Sequence, residues 1–189
     1  MFLAELFWIV LCNYYFDITN SYIFLIQKAI EKQQKDSFML EVGSKAPEFQ
    51  LSDQDGNTVN ITDFKGGKVL LWFFPKASTP GWTVQGQGLR DEFKSFARKN
   101  TIILGMSADS VKRQKNFTEK QEFQFQLLSD PDKEVIRSYR AIGMKKMYGR
   151  EYEGILRIAY LIDEKGNIEK IYEKVSTKTF AGDALLDLS

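Results

Sequence analysis

Runs of apolar residues and stretches of helical spacing alternate along this chain from residue 42 onward. Residues 69–74 are six apolar residues in a row, the pattern of a strand buried on both faces. Pro75 closes that strand, the polar loop KASTPG follows, and Leu89, Phe93 and Phe96 then recur at i, i+4 and i+7, which predicts a helix. Residues 101–106 (TIILGM) predict a second buried strand. It leads into an amphipathic helix from Asp109 to about Phe123, capped by Asp109 or Ser110. A short strand at 126–128, a helix at 134–141 stopped by Gly143, a polar segment (MKKMYGREYEGI), strands at 157–162 and 168–175, and a helix at 180–188 complete the pattern. Upstream, APEFQLSDQDGNTVNITDF reads as two short strands around Asp55-Gly56-Asn57. Asp53 and Asp55 lack the other ligands of a calcium loop, so a turn is expected there. The order ββ, βαβα, βα, ββα predicts an α/β domain, a mixed central sheet flanked by helices.

Residues 1–40 have a different texture and are expected to form a helical N-terminal extension to a domain spanning 41–189. They carry 9 of the 26 aromatic residues. Their longest uncharged run, 6–16, is 11 residues, short of the roughly 20 needed to span a bilayer. Glu5 stands where a signal peptide would carry basic residues. Tyr22, Leu25, Ile26, Ala29 and Ile30 form one helical face, opposite Lys28, Glu31, Lys32 and Lys35. The extension has three lysines against Glu5, Asp17, Glu31 and Asp36, so it offers anionic membranes no net attraction. The expected location is the cytoplasm, the alternative a membrane-associated or exported protein acting through residues 1–40.

Composition narrows the chemistry. Acidic and basic residues nearly cancel, 25 against 26, which gives no basic footprint for nucleic acid. The chain has no histidine, which removes Ser-His and Cys-His catalysis and every histidine-containing metal site. Its one cysteine, Cys12, excludes an intrachain disulfide and any Cys-x-x-Cys pair. Neither buried strand is followed by a glycine-rich phosphate loop, so no nucleotide cofactor is expected, and no metal. Lys145, Lys146 and Arg150 read as a solvated loop rather than an anion patch.

Two long collinear stretches, GSKAPEFQLSDQDGNTVNITDFKGGKVLLWFFPK and KKMYGREYEGILRIAYLID, carry a resemblance. From about residue 42 to 188 the chain resembles the peroxiredoxins, in particular the peroxiredoxin Q or bacterioferritin comigratory protein group. The resemblance implies a thioredoxin-like fold and a thiol peroxidase that takes electrons from thioredoxin, as monomer or homodimer. In such an enzyme a cysteine thiolate attacks one peroxide oxygen, becoming sulfenic acid as water or alcohol leaves. The pattern Pro-x-x-x-Thr-x-x-Cys with a later arginine maps onto Pro75, Thr79, position 82 and Arg157. By the resemblance Arg157 holds the thiolate and polarises the peroxide, Thr79 hydrogen-bonds the peroxide, and Pro75 shields the site.

The pattern breaks at its centre. Position 82, where the peroxidatic cysteine belongs, is Trp82, and position 87, where many relatives carry a resolving cysteine, is Gln87. Indole nitrogen only donates hydrogen bonds and forms neither sulfenic acid nor disulfide. The expectation is a catalytically silent homologue with a binding or structural role, with Trp82 filling the peroxide pocket. Two alternatives stand beside it: a thiol-dependent peroxidase using Cys12 or an external thiol, and a membrane-associated module.

Overall fold

The computed structural model describes residues 39–147, 149–173 and 175–188, and residues from Leu40 onward form one compact unit. The amphipathic helix and Cys12 of residues 1–38 lie outside the described residues. Among the described residues there are nine strands: β1 (Gln50–Ser52), β2 (Thr58–Asn60), β3 (Lys68–Phe73), β4 (Thr101–Ser107), β5 (Gln126–Ser129), β6 (Ile142–Met147), β7 (Arg150–Ile155), β8 (Ala159–Ile162) and β9 (Ile168–Tyr172). Five helices accompany them: α1 (Pro80–Asp91), α2 (Phe93–Arg98), α3 (Val111–Gln121), α4 (Glu134–Ser138) and α5 (Phe180–Leu186). Seven strands form one sheet in the order β2-β1-β5-β4-β3-β8-β9. β3, β4 and β5 run parallel, while β8, β9, β1 and β2 join antiparallel, which makes the sheet mixed as expected.

The apolar run of β3 suits its place inside the sheet, between β4 and β8. Alternation along the strand sends Leu70, Trp72 and Phe74 to one face and Val69, Leu71 and Phe73 to the other. Leu70, Trp72 and Phe74 join the core cluster that holds Trp82 and Leu89 of α1, Phe96 of α2, Phe117 of α3, and Phe180 and Ala184 of α5. Phe73 instead meets Tyr139, just after α4, and Tyr160 of β8, with ring centroids 5.6 and 6.1 Å away. Gly105 lets β4 lie against this layer, since a β-carbon there would come within 2.6 Å of Leu127 and 2.9 Å of the Trp72 indole nitrogen.

The turns follow their sequence signals. Asp53 Oδ1 accepts the N–H groups of Asp55 and Asn57 at 2.8 and 2.9 Å, and Gly56 takes φ 83°. Asp163 repeats the arrangement toward Lys165 and Asn167 before Gly166. Three expectations need correction. The helix running through Leu89, Phe93 and Phe96 is broken at Glu92, whose φ −96° and ψ 8° end α1 and start α2. The polar segment after Gly143 is a two-stranded hairpin, β6–β7, with Gly143 inside β6 and Gly149 at φ 77° in the turn. Arg157 lies in the link between β7 and β8 rather than on a strand.

Candidate functional site

The loop after β3 is held from below before it reaches the helix. The buried carboxylate of Asp109 accepts the Ala77 N–H at 2.6 Å and the Ser107 hydroxyl at 3.0 Å. The Gln114 amide donates to Ser107 Oγ and to the Leu128 carbonyl, both at 2.9 Å, and the Ser129 hydroxyl donates to the Asp109 carbonyl at 2.6 Å. The sequence assigned Asp109 as a possible helix cap. Ser110 occupies the cap position instead, and Asp109 serves the loop 32 residues upstream.

Pro75 is half-buried where the loop begins, directly after Phe74. Thr79 is the N-cap residue of α1, with extended φ and ψ, and Pro80 takes the first helical position, where a missing N–H is harmless. The Thr79 carbonyl accepts the N–H groups of Trp82 and Thr83 at 3.2 and 3.0 Å. Its hydroxyl is turned into its own loop, donating to the Lys76 carbonyl at 2.9 Å.

Trp82 points inward from the first turn of α1 and is 6% exposed. The Arg157 guanidinium lies over its ring, with Cζ 4.3 Å from the centroid, a cation–π contact. Arg157 Nη2 also sits 3.1 Å from where a β-carbon on Gly81 would be, so glycine keeps that space open for the guanidinium. The structure therefore brings together Trp82, Arg157 and the start of α1 that Thr79 caps. Gln87 is separate: five residues farther on, roughly 7–8 Å along the helix axis, it donates to Gln121 of α3 at 2.9 Å.

Two residues beside this group carried no weight in the sequence. Gln85, one turn beyond Trp82, is 1% exposed, and neither atom of its amide has a partner among the described residues. Lys145 was read as part of a solvated loop, but it is half-buried and its ammonium donates to the Ile155 carbonyl. Burial first, and the charge of Arg157 second, hold the Lys145 ammonium below the usual lysine range. Lys146 and Arg150 are exposed, as expected. Among the described residues no cluster of acidic and cysteine side chains has metal-holding geometry. No helix among them is long and apolar enough to cross a membrane.

The AhpC/TSA family profile matches residues 42–171. Peroxiredoxin Bcp of Escherichia coli is 44% identical over 138 residues, covering 73% of this chain and 88% of the relative. Peroxiredoxin Bcp of Bacillus subtilis is 38% identical over 149 residues, 79% of this chain and 95% of the relative. Among solved structures, the bacterioferritin comigratory protein of Xanthomonas campestris, described in connection with alkyl peroxide reduction, superposes with a TM-score of 0.73. It shares 32% identity with this chain and covers 78% of it and 97% of its own length. The fold is thus the thioredoxin-like peroxiredoxin fold, and the chain belongs to the AhpC/TSA family, in its peroxiredoxin Q (Bcp) group.

Proposed function

We propose that this chain is a catalytically silent peroxiredoxin Q homologue, kept for binding or structure. The observation that carries the reading is the burial of Trp82 under Arg157 at the helix start, where the family pattern requires a thiolate. The reaction needs an electron pair on sulfur directed at a peroxide oxygen, and the indole has none to give. The frame around it is spent on other contacts. Arg157 rests on the ring, and the Thr79 hydroxyl is bonded within its loop.

Thioredoxin serves the family by reducing a disulfide or sulfenic acid. With Trp82 and Gln87 at the two thiol positions, this chain offers it no sulfur at the site. The remaining thiol, Cys12, lies 70 positions before Trp82 in a segment outside the peroxiredoxin match. The test is peroxide consumption by the full chain with thioredoxin, its reductase and NADPH. No turnover above the protein-free rate is expected. Turnover that Cys12→Ser abolishes would replace this reading with a thiol peroxidase working through Cys12.

A further inference from the structure

The C-terminal helix α5 has little to hold it by itself. It runs for 7 residues, too few to persist alone in water. Gly182 lies inside it and weakens it further, its start has no side-chain cap, and Leu186 at its end is 75% exposed. Its underside supplies part of the hold. Phe180, Ala181 and Ala184 are buried in the same core cluster as Trp82 and Leu89 of α1. The Ala181 β-carbon lies 3.7 Å from the position a β-carbon on Gly88 would take, so α5 rests on α1 where that helix is bare.

The rest of the hold comes from Asp187, directly after the helix, which fastens it to β9. One carboxylate oxygen takes the Lys170 ammonium at 2.6 Å, and the other accepts the Tyr172 hydroxyl at 2.9 Å. Lys170 and Tyr172 are two residues apart on β9 and so project from the same face of that strand. The Lys170 ammonium lies 5.6 Å from the Tyr172 ring centroid, and the Tyr172 ring meets that of Phe180 edge-on at 5.4 Å. Lys99 adds a bond from its ammonium to the Leu188 carbonyl at 3.2 Å. These contacts sit at the far end of α5 from the link to β9, where one fastening restrains the whole helix.

We propose that α5 is a lid latched by Asp187, which opens as one unit while the sheet stays folded and uncovers the Gly88 face of α1. Opening gives up one phenyl ring, two alanine methyl groups and the carboxylate contacts. Opening β3 and β4 means undoing strands paired on both edges inside the sheet, a far larger loss. The lid therefore belongs to the low-energy end of the molecule's openings, and the charge at position 187 sets how often it lifts.

Hydrogen exchange of the full chain, read amide by amide, tests this. In wild type, residues 183–187 should exchange at least about tenfold faster, relative to their unfolded rates, than β3 and β4. Asp187→Ala should speed all of 183–187 by about tenfold. Asp109→Ala, which unties the loop after β3, should speed β3 and leave α5 as it was. A second measurement covers amides that exchange too fast to follow. Ala184→Cys in a Cys12→Ser background places a thiol on the underside of α5, at a position 1% exposed. Adding Asp187→Ala should raise its rate of labelling by a thiol reagent about tenfold, with urea melts showing that each variant is folded. The lid is overturned if α5 is protected as strongly as β3 and β4, or if Asp109→Ala speeds both alike. It is also overturned if Asp187→Ala speeds only the last turn, or leaves the labelling rate of the buried thiol unchanged.

Discussion

On the silent reading proposed above, Trp82 stands where the family's nucleophile belongs, and it can be exchanged. Trp82→Cys puts a thiol in the first turn of α1 beside Arg157. Its pKa should fall below the ordinary ~8.5, and it should react with peroxide faster than free cysteine at the same pH. Loss of the buried indole is expected to cost roughly 2–4 kcal/mol. Competitive peroxide consumption by the folded variant checks the rate, and adding Arg157→Ala should lower it. A variant no more reactive than free cysteine would show that the loop and arginine have also lost their catalytic arrangement. Gln85 gives the second test at this scale. Its amide is buried with neither atom bonded, so Gln85→Met removes two unmet polar groups at nearly constant volume. Stabilisation of about 1–2 kcal/mol is expected in urea melts. Destabilisation would mean that the amide has partners within the fold.

Between elements, the Asp109 carboxylate is the joint that ties the loop after β3 to the end of β4. Asp109→Ala leaves the Ala77 N–H and the Ser107 hydroxyl without their acceptor in a buried place. A loss of about 2–4 kcal/mol is expected, larger than for Asp109→Asn, with equilibrium urea unfolding as the measure. An equal effect of the two substitutions would mean that the carboxylate's charge matters more than its oxygens. The sequence could place Asp109 near a helix start because short polar side chains favour caps. It could not show a competing N–H 32 residues away. Strand β3 and the two Asx turns were legible because burial and turn chemistry leave marks within a few residues. The β6–β7 hairpin was not, because β7 is exposed for most of its length and so has no apolar alternation to read. The Tyr148-Gly149 dipeptide between its strands was the available signal. The same limit hid the half-burial of Lys145, whose ammonium donates to the Ile155 carbonyl across the hairpin.

At the scale of the whole molecule, the second core layer sets a limit at high pH. Burial pushes the Tyr160 hydroxyl up to about 12, against opposing pulls from the Leu40 backbone and the Arg140 charge. Tyr139 is raised by burial and then by Tyr160. The two hydroxyls donate to the Tyr139 and Pro47 carbonyls, respectively, bonds that exist only while they are protonated. In the unfolded chain both lose their protons near ~10, so the folded state holds the protons more tightly. Stability is therefore full below that pH and falls as pH rises toward about 12. Tm measured across this range should drop, and Tyr160→Phe should make the drop shallower. A Tm that is flat from ~10 to ~11.5 would contradict the burial argument.

The stacking of Arg157 on Trp82 also gives the molecule a light source at its own site. Trp72 is fully buried and stacked on Phe74 at 4.8 Å, in a place no solute reaches. Trp82 belongs to the same core cluster but is 6% exposed, with a cation pressed on its π-cloud. Any solute that draws the guanidinium aside changes the electric field across the Trp82 indole and leaves that across Trp72 alone. With the third tryptophan removed by Trp8→Phe, the intrinsic ultraviolet emission divides into a steady component from Trp72 and a responsive one from Trp82, and Trp82→Phe removes the responsive part. Any displacement of Arg157 from the ring can be followed by colour and brightness, without attaching a dye.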